Sequence, residues 1–275
     1  MSMRKNKYVE KEYNDRDVMY RIMYRGLFPP SDNIDFLDYE EIILDIDSLL
    51  SILFQKDISE YSSEIRLEIA RTIIDNIVIF LDKYMNNSII KMYYSLKEYT
   101  IFNEIYPQWC RSRSLRYKNS ININFLKKYL IDKLKRIEKH NFGIFECDDS
   151  PIIKIYQDIE MSSHKKRIIL SRDPHFMCLL CYFDIHIYNG RFIVNRDTYL
   201  YEEEYPKVHF SFIPAYYMIA GMSRNEYPGL PKYGPKKTVN LINNNKVAVI
   251  KGTLDIIKDV LPYRNIFYIK DLKIK

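Results

Sequence analysis

Four short apolar runs in this chain end in acidic residues, and that repeated arrangement is its strongest chemical signal. EIILDIDSLL carries Ile42, Ile43 and Leu44 into Asp45, and NIVIFLD ends in Asp82. NFGIFECDD ends in Glu146, Asp148 and Asp149, and KRIILSRD ends in Asp173. Each run is too short for a helix and rich in Ile, Val or Phe, which predicts a buried strand. Open α/β sheets bind ligands beyond the carboxyl ends of their strands. The four acidic tips are therefore expected to converge on one edge as a ligand site.

The elements that must position these acids follow from the sequence between them. Helix-period stretches separate the runs, LLSILF after Asp45 and NFLKKYLIDKLKRIEKH over residues 124–140. Alternating strands and helices predict an α/β fold with a mostly parallel central sheet covered by helices on both faces. FDIHIY, Asn189-Gly190 and RFIVN read as a hairpin closed by a type I′ turn. Residues 1–39 are charged, Tyr-rich and interrupted by Pro29 and Pro30, and they read as an N-terminal extension. Residues 40–205 form the α/β core, and 206–275 form a helical element with a tail.

Composition narrows the class. At 275 residues and 47% hydrophobic, the chain can bury a sizeable core. Its 42 Lys and Arg against 36 Asp and Glu give a net charge of +6, which mildly favours a polyanionic partner. No stretch of about 20 apolar residues predicts a membrane span, and no secretory leader is legible. Four scattered cysteines, Cys110, Cys147, Cys178 and Cys181, point to a reducing, cytoplasmic compartment. Cys178 and Cys181 have CxxC spacing, but they lie inside FMCLLCYF without a second ligand pair, so both read as core thiols. The 25 Tyr and 7 Gly, with runs of Ile, Asn and Lys, carry the imprint of an AT-rich genome such as that of a phage or virus.

In order and content these motifs resemble the 5′-nuclease superfamily: flap endonucleases, the 5′-exonuclease domains of bacterial polymerases, and phage ribonuclease H. The resemblance spans roughly residues 41–250. ILDIDSLL is similar to the family's first strand and IVIFLD to its second, while FECDDSPIIKIY resembles its E-A-D-D segment. RIILSRDPHFMCLL resembles the strand and helix that normally read S-x-D-x-D, with Asp173 matching the first aspartate and His175 standing at the second. IAGMSRNEYPGLPKYGPKKTVNLI resembles the helix-turn-helix element that grips duplex backbone, with Met222 and Asn225 at its two acidic positions.

The resemblance implies a PIN-like 5′-nuclease fold with a C-terminal helix-turn-helix element, and Mg²⁺ or Mn²⁺ as the cofactor. Asp45, Asp82, Glu146, Asp148 and Asp173 would hold the first ion, and Glu226 and Asp149 would partly compensate at a second one if the turn is shifted by one residue. His175, Met222 and Asn225 fall where a second ion would take carboxylates. His175 is expected to bind a softer ion such as Mn²⁺, to act as a base, or simply to cap the helix that starts at Pro174. Gly229 and Gly234 would let turns approach phosphate, with Lys232, Lys236 and Lys237 adding charge.

Residues 83–122 fall in the family's arch, where YPQWCRSRSLRYKNS offers Arg111, Arg113, Arg116 and Lys118 beside Trp109 and Tyr117 for single-strand contact. The implied activity is 5′ nuclease action on DNA or RNA–DNA hybrids during phage or viral replication, in company with replication proteins. The loss of carboxylates equally fits a DNA-binding pseudo-nuclease that serves a replication or packaging complex.

Overall fold

The computed structural model describes residues 36–50, 62–95, 121–138, 140–147, 151–190, 192–201, 205–221 and 229–244. Its elements in chain order are β1 (Glu41–Asp45), α1 (Ile46–Leu50), α2 (Ser63–Tyr84), β2 (Ile89–Tyr94), α3 (Ile121–Leu134), β3 (Phe142–Glu146) and α4 (Pro151–Glu160). There follow β4 (Arg167–Leu170), a 3₁₀ helix (Pro174–Cys181), β5 (His186–Tyr188), β6 (Ile193–Val194), α5 (Ile213–Ala220) and α6 (Pro235–Asn244). The sheet has six strands in the order β3-β2-β1-β4-β5-β6. β1 to β5 are parallel and β6 returns antiparallel to β5.

Helices cover both faces, which is why the strands read as almost unbroken apolar runs. On one face Ile42, Leu44, Met92 and Tyr94 pack under Phe80, Leu81 and Tyr84 of α2 and Leu130, Ile131 and Leu134 of α3. On the other, Ile43, Ile169 and Ile187 pack under Ile155 and Ile159 of α4, the 3₁₀ helix, and Ile213, Tyr216 and Tyr217 of α5. Phe36 is fully buried among Tyr39, Phe80, Tyr84 and Tyr188, so the segment leading into β1 is part of the first core.

Three features differ from the sequence expectations. NIVIFLD is not a strand: it is the last part of the 22-residue helix α2. Ile77, Phe80, Leu81 and Tyr84 are buried at the spacing of one helical face, whereas Ile79 is 66% exposed and Asp82 is exposed. The true second strand is IIKMYY, after the Asn86-Asn87-Ser88 turn. The helix expected over 124–140 runs over Ile121–Leu134 instead. The hairpin forms, but its turn differs, because Lys232 is the one non-glycine with positive φ among the described residues. Asn189 therefore lacks the left-handed conformation that a type I′ turn requires there. Instead Asn189 accepts through Oδ1 from the Phe192 N–H at 3.1 Å, and Gly190 carries the positive φ of 94°.

At the amino edge of the sheet, Glu41 is buried and bonded to Arg167 and, at 2.6 Å, to Lys91, which ties β1 to both neighbours. Burial pushes its carboxyl up, but the Lys91 and Arg167 bonds outweigh that and hold it below the usual range.

His186 closes the far side. Asn195 Oδ1 accepts from the N–H groups of Asp197 and Thr198, so its Nδ2 donates to His186 Nε2 at 3.2 Å. The ring proton then sits on Nδ1, facing Tyr39 Oη at 2.5 Å. Burial, reinforced by Lys166 and opposed by Asp184 and Asp197, lowers the His186 pKa. The neutral ring is the folded-state form, so its stabilising contribution is complete above about pH 6.5 and is lost as pH falls below it. Thermal unfolding of His186→Gln is expected to lose that part of the acid dependence while keeping the rest.

Candidate metal and nucleic-acid site

β1 feeds leftward to β2 and β3, whereas β4 and β5 build to its other side, so the strand order reverses between β1 and β4. Such a reversal opens a crevice at the carboxyl ends of the two strands. Asp45 ends β1 at that point and is only 3% exposed. Ser171, just past β4, donates its hydroxyl to Asp45 Oδ2 at 2.7 Å and accepts the Asp173 N–H at 3.1 Å. The Ser48 N–H donates to Asp45 Oδ1 at 3.2 Å. Ser171 thus ties the Asp45 carboxylate to the main chain at Asp173, just past β4.

Burial, the charge of Asp47 and the charge of Asp173 push the Asp45 carboxyl up to about 8, although the Ser171 and Ser48 hydrogen bonds oppose the rise. Asp47 was not singled out from the sequence, and the D-x-D spacing with Asp45 was the available signal. The same negative charge reaches Cys147, whose thiol is pushed up to about 12 by burial and then by Asp47. Cys147 is buried in the second core as expected of a structural thiol, as is Cys178, while Cys181 is half-buried with its Sγ 3.5 Å from Ser211 O.

Asp173 caps the 3₁₀ helix: its Oδ1 accepts from the His175 N–H at 3.0 Å and lies 2.5 Å from His175 Nδ1. The cap is therefore Asp173, and His175 is its partner. Burial lowers the His175 pKa, but the charge and hydrogen bond of Asp173 outweigh it and raise the value overall.

The other proposed carboxylates lie elsewhere. Asp45 aligns with Tyr93 and Phe145 across the ladder, so Glu146, one residue on, faces the opposite side of the sheet. There it accepts from Tyr94 Oη at 3.0 Å and lies 4.0 Å from Lys135 Nζ. Asp82, two residues before the end of α2, lies near the start of β2 at the amino edge, the opposite edge from Asp45. The expected convergence of four tips thus reduces to Asp45 and Asp173, joined by Asp47, with Glu146 at the same edge but on the other face. Among the described residues no group of three or more His, Cys, Asp or Glu is arranged to hold a metal ion. Asp148, Asp149, Arg111, Arg113, Arg116, Lys118, Met222, Asn225 and Glu226 lie outside the described residues.

α5 and α6 carry the second candidate surface. Gly229, with φ of 64°, packs on the end of α5: a Cβ there would lie 2.4 Å from Gly221 N and 2.5 Å from Ile219 O. The Leu230 N–H donates to Ile219 O at 2.9 Å, which sets the direction of the chain into α6. Lys232, with φ of 72°, Lys236 and Lys237 are exposed around the α6 amino end. Gly234 needs no positive φ, and a Cβ there would meet nothing within 4 Å. No contact within the described chain demands a glycine at 234.

Comparison with solved structures identifies the architecture. A T5 D15 protein co-crystallised with metal ions superposes with a TM-score of 0.55 at 17% identity, over 78% of this chain and 77% of that one. The D15 flap endonuclease is a bacteriophage T5 protein. This chain has the 5′-nuclease fold. A T5 5′-exonuclease with bound zinc ions aligns with a TM-score of 0.53 at 18% identity, over 78% of both chains. The catalytic core of Rad2 in complex with DNA substrate aligns at 0.51 and 11%, over 81% of this chain and 68% of that one. No family model matches the sequence, and no curated protein matches it significantly. At these identities the 5′-nuclease fold is retained with little of the sequence. Among the described residues no helix is long and apolar enough to cross a membrane.

Proposed function

We propose that this protein is a divalent-metal-dependent 5′ nuclease acting on DNA or RNA–DNA hybrids in phage or viral replication. The observation that carries the reading is the buried Asp45, its carboxyl raised by Asp47 and Asp173 at the sheet's switch point. Clustering like charges out of water is costly unless a cation neutralises them; the described residues do not complete a metal site by themselves, so a Mg²⁺ or Mn²⁺ ion here needs ligands beyond them. Asp45, Asp47 and Asp173 would hold it, with Asp148 and Asp149 as further ligands. A bound divalent ion supplies charge stabilisation at a phosphoryl oxygen and lowers the pKa of bound water.

The chain's own groups do the rest. Ser171 and Ser48 fix the orientation of the Asp45 carboxylate. His175 holds Oδ1 of Asp173 through its backbone N–H and its ring Nδ1. The turn at Gly234 and the amino end of α6 would take duplex phosphates on backbone N–H groups, with Lys232, Lys236 and Lys237 adding charge. The empty space beside Gly234 supports that reading, since a side chain there would obstruct an approaching backbone. The neighbours crystallised with metal ions and with DNA support it at the level of fold.

The test is incubation of the protein with a 5′-flap duplex and a nicked duplex in Mg²⁺ and in Mn²⁺. Cleavage by the wild type is expected, with a loss of at least about 10²-fold for Asp173→Ala, since even outer-shell changes cost 10- to 100-fold. Absence of cleavage, together with duplex binding that Lys236→Ala/Lys237→Ala removes, would instead establish a DNA-binding pseudo-nuclease.

A further inference from the structure

Arg172 stands between Ser171 and Asp173, the two residues that join β4 to the acidic cluster. Its backbone N–H donates to Ser48 Oγ at 2.5 Å, which fixes the main chain against α1. The Ser171 N–H donates to Tyr188 O at 3.1 Å, so the β4/β5 ladder runs one residue past Leu170 and brings Arg172 level with the hairpin turn. There its side chain lies on Gly190: a Cβ at that position would come within 2.7 Å of Arg172 Nε and 3.3 Å of Nη2. The turn beneath is held in its own right, with Asn189 Nδ2 donating to Tyr205 Oη at 2.8 Å and Asn189 Oδ1 accepting from the Phe192 N–H.

The guanidinium is therefore seated at the carboxyl edge by its own main chain and by a glycine turn. Strand alternation sends Ser171 toward Asp45 and Arg172 toward the opposite side, where Tyr188 lies within reach of its charge. The edge has an acidic half and, immediately next to it in the chain, a fixed cation.

We propose that Arg172 binds a backbone phosphate of the nucleic acid at the carboxyl edge of the sheet, on the side away from Asp45. A guanidinium offers paired N–H donors that match two phosphate oxygens, and one already seated loses little freedom on binding. A polyanion drawn across an edge that carries carboxylates also needs positive charge at that edge, and Arg172 supplies it from the opposite side of the sheet. Gly190 gains a purpose beyond its φ of 94°, because any side chain there would displace the guanidinium.

This inference rests on the nuclease reading, and the experiment separates the two. Binding of a 5′-flap duplex by wild type, Arg172→Ala and Arg172→Lys is measured across a salt series, with melting temperatures in parallel. Arg172→Ala is expected to weaken binding and to reduce the slope of log Kobs against log salt by about one, the loss of a single phosphate contact. Arg172→Lys is expected to restore the slope but only part of the affinity, since an ammonium has no fork. If the wild type binds and Arg172→Ala keeps its slope, the inference is overturned, whatever happens to the melting temperature. If the wild type fails to bind the duplex at all, the nuclease reading itself fails.

Discussion

Asp45→Asn is expected to raise the melting temperature of the metal-free protein above pH 8 and to abolish cleavage in the same variant. The carboxyl, raised to about 8, binds its proton more tightly in the folded state than in the unfolded chain, where an aspartate titrates near 3.9. Its contribution is fully present below about pH 4 and is lost as pH rises through about 8. Above that, a charged group 3% exposed sits beside two more carboxylates. Asparagine keeps the shape and an acceptor but carries no charge, and the relief is of the order of a few kcal/mol. A divalent ion should produce the same relief in the wild type, by an amount that grows with pH, and little in the variant. Thermal melts of both proteins at pH 6 and pH 9, with and without Mg²⁺, measure all of this. A destabilised variant at pH 9 would show that the cluster is a structural network and not an ion site.

Gly229→Ala should be the most damaging single-methyl change in the C-terminal element. The added Cβ meets Gly221 N at 2.4 Å, Ile219 O at 2.5 Å and Ala220 C at 2.6 Å, all of them backbone that cannot swing aside. It also forces alanine to a φ of 64°. Together these cost roughly 2–4 kcal/mol. The turn after α5 must open, which breaks the bond from the Leu230 N–H to Ile219 O and moves the amino end of α6. Duplex affinity should fall with the melting temperature. Gly234→Ala is the matching control, since its Cβ meets nothing within 4 Å: it should leave the unfolding free energy within about 1 kcal/mol of wild type and weaken only duplex binding. Equal melting temperatures for Gly229→Ala and wild type would contradict the packing described here.

What could be read from the sequence was set by how local its physics is. β1 and β4 were legible because their apolar runs, Ile42–Leu44 and Ile168–Leu170, are too short for a helix face, and the hairpin because Asn-Gly punctuates it. NIVIFLD misled because its five consecutive apolar residues fit a buried strand and a buried helix face equally well. The spacing of Ile77, Phe80, Leu81 and Tyr84 was the discriminating signal. That error carried Asp82 to the wrong edge of the sheet and concealed IIKMYY, whose lysine interrupts the apolar run because Lys91 reaches back to Glu41. Glu146 was located correctly along its strand, yet the face it points to depends on register, a property of the partner strand. Arg172 escaped notice because its neighbour in space, Gly190, is 18 residues away in sequence, whereas Asp47 was legible in its D-x-D spacing with Asp45.

The central claim is that the carboxylates at the β1/β4 switch point hold the divalent ion of a phosphodiester-cleaving site. Crystals soaked in Mn²⁺ and measured at the manganese absorption edge test it most directly. An anomalous peak within coordination distance of Asp45 and Asp173 is the expected result. Absence of a peak at that edge of the sheet, in crystals whose site is open to solvent, would contradict it.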